Sequence, residues 1–310
     1  KGDVMKKIAV IGDALADFTT NIVAFPQKGD GTYGTPMKRN GGGTAANVAV
    51  GLGVLGADVS LICRVGDDDD GDFLCHELER DNVDIKGIYR DPENQSGTVL
   101  IAVDPEGERS IWVLSIGSAY EKLSVENLKY LDEINPEIIF VSGFMMGVHP
   151  AEEAIFDALE KWKDRARIYF DPNLRHATDA VPPDVRLSMQ KLSDMSDVVL
   201  SGKSEMECLM LTPRSGQTFI VKDGKNGSYL LDDHGNKVFS IAPTDHEAID
   251  ATGAGDTYAA AYVYAEANGM PVKESMEFAT VASGISVTIP GARSMPSIDL
   301  IEKELKKYKE

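Results

Sequence analysis

Short apolar runs alternate with amphipathic segments along most of this chain. The apolar runs have the length and composition of strands that are buried on both faces of a sheet. The amphipathic segments place apolar residues at helical spacing, as Phe73, Leu74 and Leu78 do. This pattern predicts strands over residues 6–13, 57–66, 136–143, 166–173, 196–202 and 217–224. It predicts helices over residues 45–56, 68–83, 150–165, 256–268 and 272–287, the last two of which close the chain.

The repeated strand–helix order predicts an α/β fold, a three-layer α/β/α sandwich around a mostly parallel, doubly wound sheet. No low-complexity tract or internal repeat divides the chain, so we expect a single domain over residues 1–310. Two segments break the rhythm, at about residues 16–40 and 96–116. The second has the pattern of a hairpin that turns at residues 104–107. We expect these inserted strands to form a small β-sheet lid.

The composition limits the partners that this protein can have. Lys and Arg number 31 against 50 Asp and Glu, a net charge of −19, which disfavours nucleic acid. No apolar run approaches the ~20 residues that span a bilayer, and the first strand begins without a signal-peptide pattern. The cysteines at positions 63, 75 and 208 lack metal-ligand spacing. We therefore expect a cytoplasmic protein with reduced thiols and no nucleic-acid or membrane partner.

A glycine-rich segment stands where the helix at 256–268 begins. It reads Thr252, Gly253, Ala254, Gly255 and Asp256. The first N–H groups of a helix lack intrahelical partners and lie at the positive end of its dipole, and glycines let an anion approach them. A hydroxyl between Asp256 and a terminal phosphate could lose its proton to Asp256 as it attacks. A structural turn with an acidic residue at the helix start would give the same local pattern.

The segment IDATGAGDTYAAAYVYA, residues 249–265, resembles the C-terminal signature D-T-x-G-A-G-D-x-F of the ribokinase-like (PfkB-type) carbohydrate kinases. Ala251 and Tyr258 replace the usual Thr and Phe. The resemblance covers nearly the whole chain and implies a ribokinase-like fold and an ATP-dependent sugar kinase. It makes Asp256 the catalytic base. It also makes the backbone of Gly253, Ala254 and Gly255 the anion hole.

Residues 40–73 resemble the family's N-terminal signature, G-G-x-x-A-N-x-A followed by V-G-D-D. Glycines let the backbone approach a sugar, and an asparagine amide both donates and accepts hydrogen bonds. The resemblance also implies that an aspartate after the first strand bonds sugar hydroxyls. A lid tryptophan could stack on a sugar or base, and an arginine after the strand at 166–173 would suit a carboxylate or phosphate. The substrate candidates are Asp13, Asp17, Gly42, Gly43, Asn47, Trp112 and Arg175.

The segment VKDGKNGS, residues 221–228, resembles the family's nucleotide-binding T-x-G-x-x-G. Lys222 stands at the Thr position, where its amine could reach a phosphate, although an exposed turn lysine fits the sequence equally well. Residues 279–292 resemble the helix and turn that line the adenine site. The ATP-binding candidates are Lys222, Gly224, Gly227, Thr252, Gly255 and Ala282.

The resemblance implies magnesium and, in many relatives, potassium. Glu205 keeps the acid of the family's N-x-x-E motif and would hold magnesium through water, while Gly202 replaces the asparagine. The twelve residues 206–217 are far fewer than relatives place there, which indicates either a deletion or residues missing from this chain. The candidate potassium ligands are Asp250, the carbonyl of Thr252, Ala292 and Ser294.

The sequence leaves the phosphoryl acceptor open. YFDPNLR, residues 169–175, resembles the fructokinase and keto-deoxygluconate kinase branch, but the lid arginine of those branches would fall at Ser115, which weakens that assignment. A nucleoside kinase of the same fold and a catalytically silent sugar-binding regulator are the alternatives. The resemblance also implies a homodimer formed through the lid. Residues 51–56 match G-x-G-x-x-G, but a helix precedes them and a strand follows, which argues against dinucleotide binding.

Overall fold

A computed structural model describes residues 5–175 and 178–309 of the chain. In chain order its strands are β1 Lys7–Ile11, β2 Leu15–Asn21, β3 Lys38–Gly42, β4 Asp58–Gly66, β5 Ile88–Asp91, β6 Thr98–Val103, β7 Arg109–Leu114, β8 Ile138–Ser142, β9 Arg167–Asp171, β10 Val198–Gly202, β11 Thr218–Lys222, β12 Ser228–Leu231 and β13 Lys237–Ile241. Its α-helices are α1 Thr44–Val54, α2 Asp69–Arg80, α3 Val125–Leu128, α4 Tyr130–Ile134, α5 Ala151–Trp162, α6 Pro183–Met195, α7 Lys203–Leu209, α8 Ala254–Ala267, α9 Val272–Ser286 and α10 Ile298–Tyr308.

The main sheet has nine strands in the order β13-β12-β11-β10-β9-β8-β1-β4-β5. Its seven strands from β11 to β5 pair in parallel, and β12 and β13 add an antiparallel edge. Parallel neighbours need a crossover, and α5, α6 and α7 supply it between successive strands from β8 to β11. The predicted mostly parallel, doubly wound sheet is therefore confirmed.

Two apolar cores lie on opposite faces of this sheet. Within β1, Ile8 and Val10 belong to one core and Ala9 and Ile11 to the other, because successive side chains of a strand point to opposite faces. Residues of α1, α8 and α9 fill the first core, and residues of α5 and α6 fill the second. This arrangement confirms the three-layer sandwich and explains why the strands read as continuous apolar runs.

A separate four-stranded sheet, which we call the lid sheet, has the order β3-β2-β6-β7. Strand β2 begins four residues after β1 ends, so the lid sheet lies at the carboxyl edge of the main sheet. Strands β6 and β7 form the predicted hairpin. Its turn closes with the Gly107 N–H donating to the Asp104 carbonyl at 3.0 Å, and Gly107 has the positive φ of +84° that favours glycine.

The prediction that two helices close the chain is wrong, because α10 follows them. This helix is mostly charged, and Ile301 alone among its residues is fully buried, so its apolar stripe is narrow. Strands β12 and β13 also escaped prediction because they are short and half polar. Residues 210–217 join α7 directly to β11, with the Leu211 N–H donating to the Met206 carbonyl at 3.0 Å. In the two described ranges, no helix combines the length and the apolar character that a membrane crossing requires.

Candidate active site

The first turn of α8 has the conformation that the glycine-rich motif predicts. Gly253 precedes the helix with φ +74°, and a Cβ there would lie 2.2 Å from the Ala292 carbonyl oxygen, so this position needs glycine. The Ala254 N–H donates to the Ala251 carbonyl at 3.2 Å and is thus partly withdrawn from the predicted anion hole. The N–H groups of Gly253 and Gly255 have no acceptor in the described part of the chain.

Asp256 lies inside this first turn with only 5% of its surface exposed. Its Oδ2 accepts a hydrogen bond of 2.9 Å from Asn47 Nδ2. Burial raises the pKa of Asp256 to about 6, against the opposing effects of the Asn47 bond and the charges of Arg175 and Lys222. A carboxylate with this pKa is ionised at neutral pH and suited to accept a proton.

Two cavities meet at the start of α8. The smaller has a volume of about 440 Å³ and the larger about 600 Å³. Gly255, Ala251 and Asn173 line both, which makes them the common wall. Of the predicted residues, the smaller cavity is lined by Asp13, Asp17, Gly43, Asn47, Arg175, Thr252, Gly253, Asp256 and Ala292. The larger is lined by Glu205, Lys222, Gly224, Gly227 and Ala254.

The two candidate sugar-binding aspartates have different surroundings. Asp13 is fully buried, and its carboxylate accepts from the Thr44 N–H and hydroxyl at 2.8 Å each and from the Ala45 N–H at 3.1 Å, so it holds the first turn of α1. Burial raises the pKa of Asp17 to about 6, although the Arg293 charge lowers it. A Cβ at Gly42 would lie 2.3 Å from Asp17 Oδ2, so Gly42 makes room for that carboxylate.

Three predicted substrate or nucleotide residues, Gly42, Trp112 and Ala282, line neither cavity, and neither do the predicted potassium ligands Asp250 and Ser294. Trp112 is outside both, whereas its neighbours Ile111 and Val113 line the smaller one, because side chains alternate along β7. Ala282 belongs to α9 and is fully buried in the core, and Ser283 beside it lines the larger cavity instead. Thr252, expected on the nucleotide side, lines the smaller cavity rather than the larger.

Lys222 and Glu205 sit in a cluster of charges under the larger cavity. Lys222 is 15% exposed and pairs with the buried Asp171, so it is not an exposed turn lysine. Burial disfavours the charged Lys222, but the carboxylates of Asp171, Glu205 and Asp256 outweigh it and raise its pKa. A Cβ at Gly255 would lie 3.6 Å from Lys222 Nζ, which places the ammonium beside the start of α8.

Glu205 has a defined orientation. Its Oε2 accepts from the Gly202 N–H and its Oε1 from the Leu174 N–H, both at 2.8 Å. The carboxylate thereby caps α7 and ties it to the loop after β9. Each oxygen keeps a second lone pair, so the residue fits a water-mediated contact to magnesium.

The candidate potassium loop is held by Asp250. Its Oδ1 accepts from Thr252 and from Arg109 of the lid sheet at 3.3 Å, and its Oδ2 accepts from the Gly291 N–H at 3.0 Å. Burial opposes the charge, but these hydrogen bonds and the Arg109 charge lower the pKa of Asp250 to about 2. The Ser294 hydroxyl donates to carbonyls at 3.2 Å. The described residues contain no cluster of three or more His, Cys, Asp or Glu able to hold a metal ion.

Asp171 and Arg293 are two of the residues of this region that sequence reasoning missed, as it also missed Asn173 and Arg109. Asp171 lies within the quoted YFDPNLR segment, at the end of a buried strand, and that position is the signal that could have revealed it. Arg293 follows the turn after α9 and donates to Asn47 Oδ1 at 3.2 Å. No local pattern marks Arg293, because its partners are more than 200 residues away in the sequence.

Comparison with known proteins agrees with this geometry. The profile of the pfkB family carbohydrate kinases matches residues 5–299. The chain is 27% identical to a 5-dehydro-2-deoxygluconokinase of Clostridium tetani, over 100% of this chain and 96% of that protein. It is 28% identical to a fructokinase of Klebsiella pneumoniae, over 96% of this chain and 99% of that protein.

The fold agrees as well. A crystal structure of an uncharacterized sugar kinase from Pyrococcus horikoshii in complex with ATP is 26% identical, with a TM-score of 0.83. The match covers 97% of this chain and 99% of that chain. The family match spans nearly the whole sequence and includes the glycine-rich start of α8 and both cavities. This chain is therefore a member of the pfkB family of carbohydrate kinases.

Proposed function

We propose that Asp256 is the general base of this ATP-dependent carbohydrate kinase and that phosphoryl transfer takes place where its two cavities meet. The observation that carries the proposal is the position of the α8 start: Gly255 lines both cavities, and the Asp256 carboxylate lines the smaller one. The larger cavity, of about 600 Å³, suits a nucleotide, and the smaller, of about 440 Å³, suits a sugar. An acceptor hydroxyl would meet the base and the anion hole together.

In the proposed reaction, the acceptor oxygen attacks the γ-phosphorus of ATP. A new oxygen–phosphorus bond forms while the bond from the γ-phosphorus to the β–γ bridging oxygen breaks, and its electron pair leaves with ADP. The hydroxyl proton passes to the Asp256 carboxylate. The N–H groups of Gly253 and Gly255 stabilise negative charge on the transferred group.

Positive charge on the nucleotide side has two proposed sources. Lys222, held by Asp171 beside the start of α8, would neutralise the phosphates. Magnesium, when bound, supplies further positive charge to the phosphates, and Glu205 would hold it through water. We propose that potassium also binds at this loop, with Asp250, the Thr252 carbonyl, Ala292 and Ser294 as its candidate ligands, in competition with Arg109 for the Asp250 carboxylate.

The smaller cavity has two contrasting walls that bear on the acceptor. The lid side is apolar, with Val99, Ile101, Ile111 and Val113. The opposite side carries carboxylates, and Arg175 is the one basic residue among the described residues that line it. Arg175 favours an acidic acceptor such as the substrate for which the Clostridium tetani relative is named, and the apolar wall favours the base of a nucleoside.

The test is ADP release from Mg-ATP with a panel of 5-dehydro-2-deoxygluconate, fructose, ribose and nucleosides, each in potassium and in sodium buffer. We expect one class of acceptor to release ADP, and Asp256→Asn to keep nucleotide affinity while kcat falls by ~10²–10⁴. Asp30→Asn, at an exposed loop position, is the matched control. An unchanged kcat in Asp256→Asn removes the residue from the role. Sugar binding without ADP release from any panel member identifies a silent regulator.

Arg175→Gln in the same assay separates the acceptor classes. If the natural acceptor molecule carries a carboxylate, Arg175→Gln raises the KM of that acceptor far more than the KM of any neutral acceptor, because a charge-assisted bond is lost. If the acceptor is neutral, the ratio of the two KM values stays unchanged. An arginine that only packs against the protein would affect all acceptors equally.

We further propose that this protein is cytoplasmic and forms a homodimer through the lid sheet. Its three cysteines are all free, in keeping with a reducing compartment. Strand β7 is the edge of the lid sheet, and Trp112 and Leu114, which alternate with the cavity-lining Ile111 and Val113, expose 44% and 58% of their surfaces. A second copy of the same edge would cover these apolar side chains.

A further inference from the structure

Arg293 stands behind the wall of the smaller cavity, in the segment between α9 and α10. Its side chain is 10% exposed, and in the described part of the chain it lines neither cavity. Its Nε donates to Asn47 Oδ1 at 3.2 Å and its Nη2 to the Gly42 carbonyl at 3.1 Å. Its Nη1 lies 3.5 Å from Glu77 Oε2. A charged group this deeply buried is costly to the fold, which makes its three partners informative.

The Asn47 amide links Arg293 to the base. Its Oδ1 accepts from Arg293, and its Nδ2 donates to Asp256 Oδ2 at 2.9 Å. A guanidinium only donates hydrogen bonds and an ionised carboxylate only accepts them, so one orientation of the amide satisfies both. Arg293 therefore determines which end of Asn47 faces Asp256.

We infer that Arg293 is a positioning residue for phosphoryl transfer: it holds the Asn47 amide so that the NH₂ group, and not the oxygen, faces Asp256. The inference rests on the proposed role of Asp256 as the base. Without Arg293, the amide is free to rotate and to turn its oxygen toward the carboxylate. The two oxygens then repel each other, and the base loses its fixed place.

The surroundings of Arg293 support a dedicated site for the guanidinium. Glu77 accepts from the Gly41 N–H at 3.1 Å and pairs with Arg80, so its position is fixed. A Cβ at Gly41 would lie 2.0 Å from Arg293 Nη1. Gly41 has no positive φ, so alanine fits its backbone while it displaces the guanidinium. The other charges acting on Arg293 come from Asp17, Asp81 and Arg80.

The charged groups around Asp256 define what a pH profile would report. Arg175 and Lys222 lower its pKa and Asp13 raises it, and all three are untouched by a change at Arg293. The Asn47 bond also lowers this pKa, so losing it raises the pKa of Asp256. Asp17 titrates in the same range, but it belongs to the proposed sugar contacts. Because the Arg293 charge also lowers the pKa of Asp17, the kcat profile of Arg293→Gln is compared with the same change in the Asn47→Ala background, where a shift that persists comes from Asp17 and not from Asp256.

The experiment is a double-mutant cycle in the full-length enzyme with Arg293→Gln and Asn47→Ala. We expect Arg293→Gln to lower kcat at pH 6 by about tenfold and to change the acceptor KM less than kcat. In a plot of kcat against pH, we expect the acid limb, where kcat falls as Asp256 becomes protonated, to shift to higher pH by about one unit. Most activity should therefore return at pH 9. In the Asn47→Ala background, Arg293→Gln should lower kcat almost no further, because the amide through which Arg293 acts is already absent. Arg293→Lys, which keeps a donor, should lose less.

The controls separate positioning from folding. Arg64→Gln removes another partly buried arginine, paired with Asp91 at 2.6 Å, and should lower thermal stability while the acid limb stays in place. If Arg293→Gln fails to fold, Gly41→Ala displaces the intact guanidinium and takes its place in the cycle. Additive losses in the cycle, or an acid limb that does not move, overturn the inference. Failure of the proposed function itself would show earlier, as an Asp256→Asn variant with full activity.

Discussion

The side chain of Asp256 is placed well for reaction and badly for stability. Burial raises its pKa to about 6, and the bond from Asn47 and the charges of Arg175 and Lys222 compensate only in part. Above pH 6 the native state therefore carries a buried charge that the unfolded chain holds in water. Burial thus gives Asp256 a pKa near neutral pH, which suits a general base, and the same burial lowers the stability of the folded protein.

We therefore expect Asp256→Asn to be more stable than the parent protein. The amide oxygen can still accept from Asn47, and the desolvated charge is gone. Because the folded pKa of about 6 exceeds the unfolded value of 3.8, the penalty grows as pH rises from 4 to 6 and is constant above. The free energy of unfolding should rise by about 3 kcal/mol at pH 8 and by about half as much at pH 5. Urea unfolding at both pH values measures this.

The control for this stability gain is Asp30→Asn, at an exposed position. It should leave the free energy of unfolding within about 0.5 kcal/mol of the parent at both pH values. An Asp256→Asn variant that is equally stable or less stable at pH 8 would contradict the account of a buried, ionised carboxylate.

The sequence predicted which residues meet at the site best where those residues are close together in the chain. Gly253, Gly255 and Asp256 are adjacent in the chain, and the requirement for a bare backbone followed by an acid can be read directly. Lys222 was predicted at a phosphate, but its partner Asp171 comes from a different strand. Arg293 acts on a residue 246 positions away, and only the packed structure brings the two together.

At the scale of elements, the α8 start depends on Gly253 for two separate reasons. Its φ of +74° disfavours any side chain, and a Cβ would overlap the Ala292 carbonyl. Gly253→Ala should therefore lower the free energy of unfolding by about 2–3 kcal/mol and reduce kcat, because the anion hole shifts. Gly235 has φ +78°, but a Cβ there would meet no atom of the described residues within 4 Å, so Gly235→Ala should cost only about 1 kcal/mol. Urea denaturation compares the two, and equal losses would mean that the overlap has no energetic weight.

Strands and helices were predicted correctly where burial gives the sequence a clear pattern of apolar residues. Strands β1, β4, β8, β9, β10 and β11 have mostly apolar, buried centres because helices cover both faces. Strands β12 and β13 lie at the edge with polar positions, and α10 packs through a narrow stripe, so their patterns are weak. The lid hairpin was predictable from its turn residues, whereas the contact of Arg109 with the Asp250 loop was not, since it joins two distant elements.

At the scale of the whole molecule, the exposed apolar edge of β7 predicts self-association. Ile116 is 99% exposed next to Trp112 and Leu114, and an uncovered edge strand of this kind tends to pair. We expect the parent protein to have the molar mass of a dimer by light scattering, and Trp112→Asp with Leu114→Asp to give the monomer mass. Val238→Asp, at an exposed position of β13, an edge strand of the main sheet, should leave the dimer intact. A monomeric parent would exclude the lid dimer.

The common wall of Gly255, Ala251 and Asn173 has one more consequence. When no acceptor occupies the smaller cavity, solvent fills it, and a water molecule is itself a nucleophile carrying a proton that Asp256 can take. Idle turnover of ATP is thus built into the arrangement. The rate of this ATP hydrolysis measures how well the apolar residues of β6 and β7 exclude water from the position of in-line attack on the γ-phosphorus.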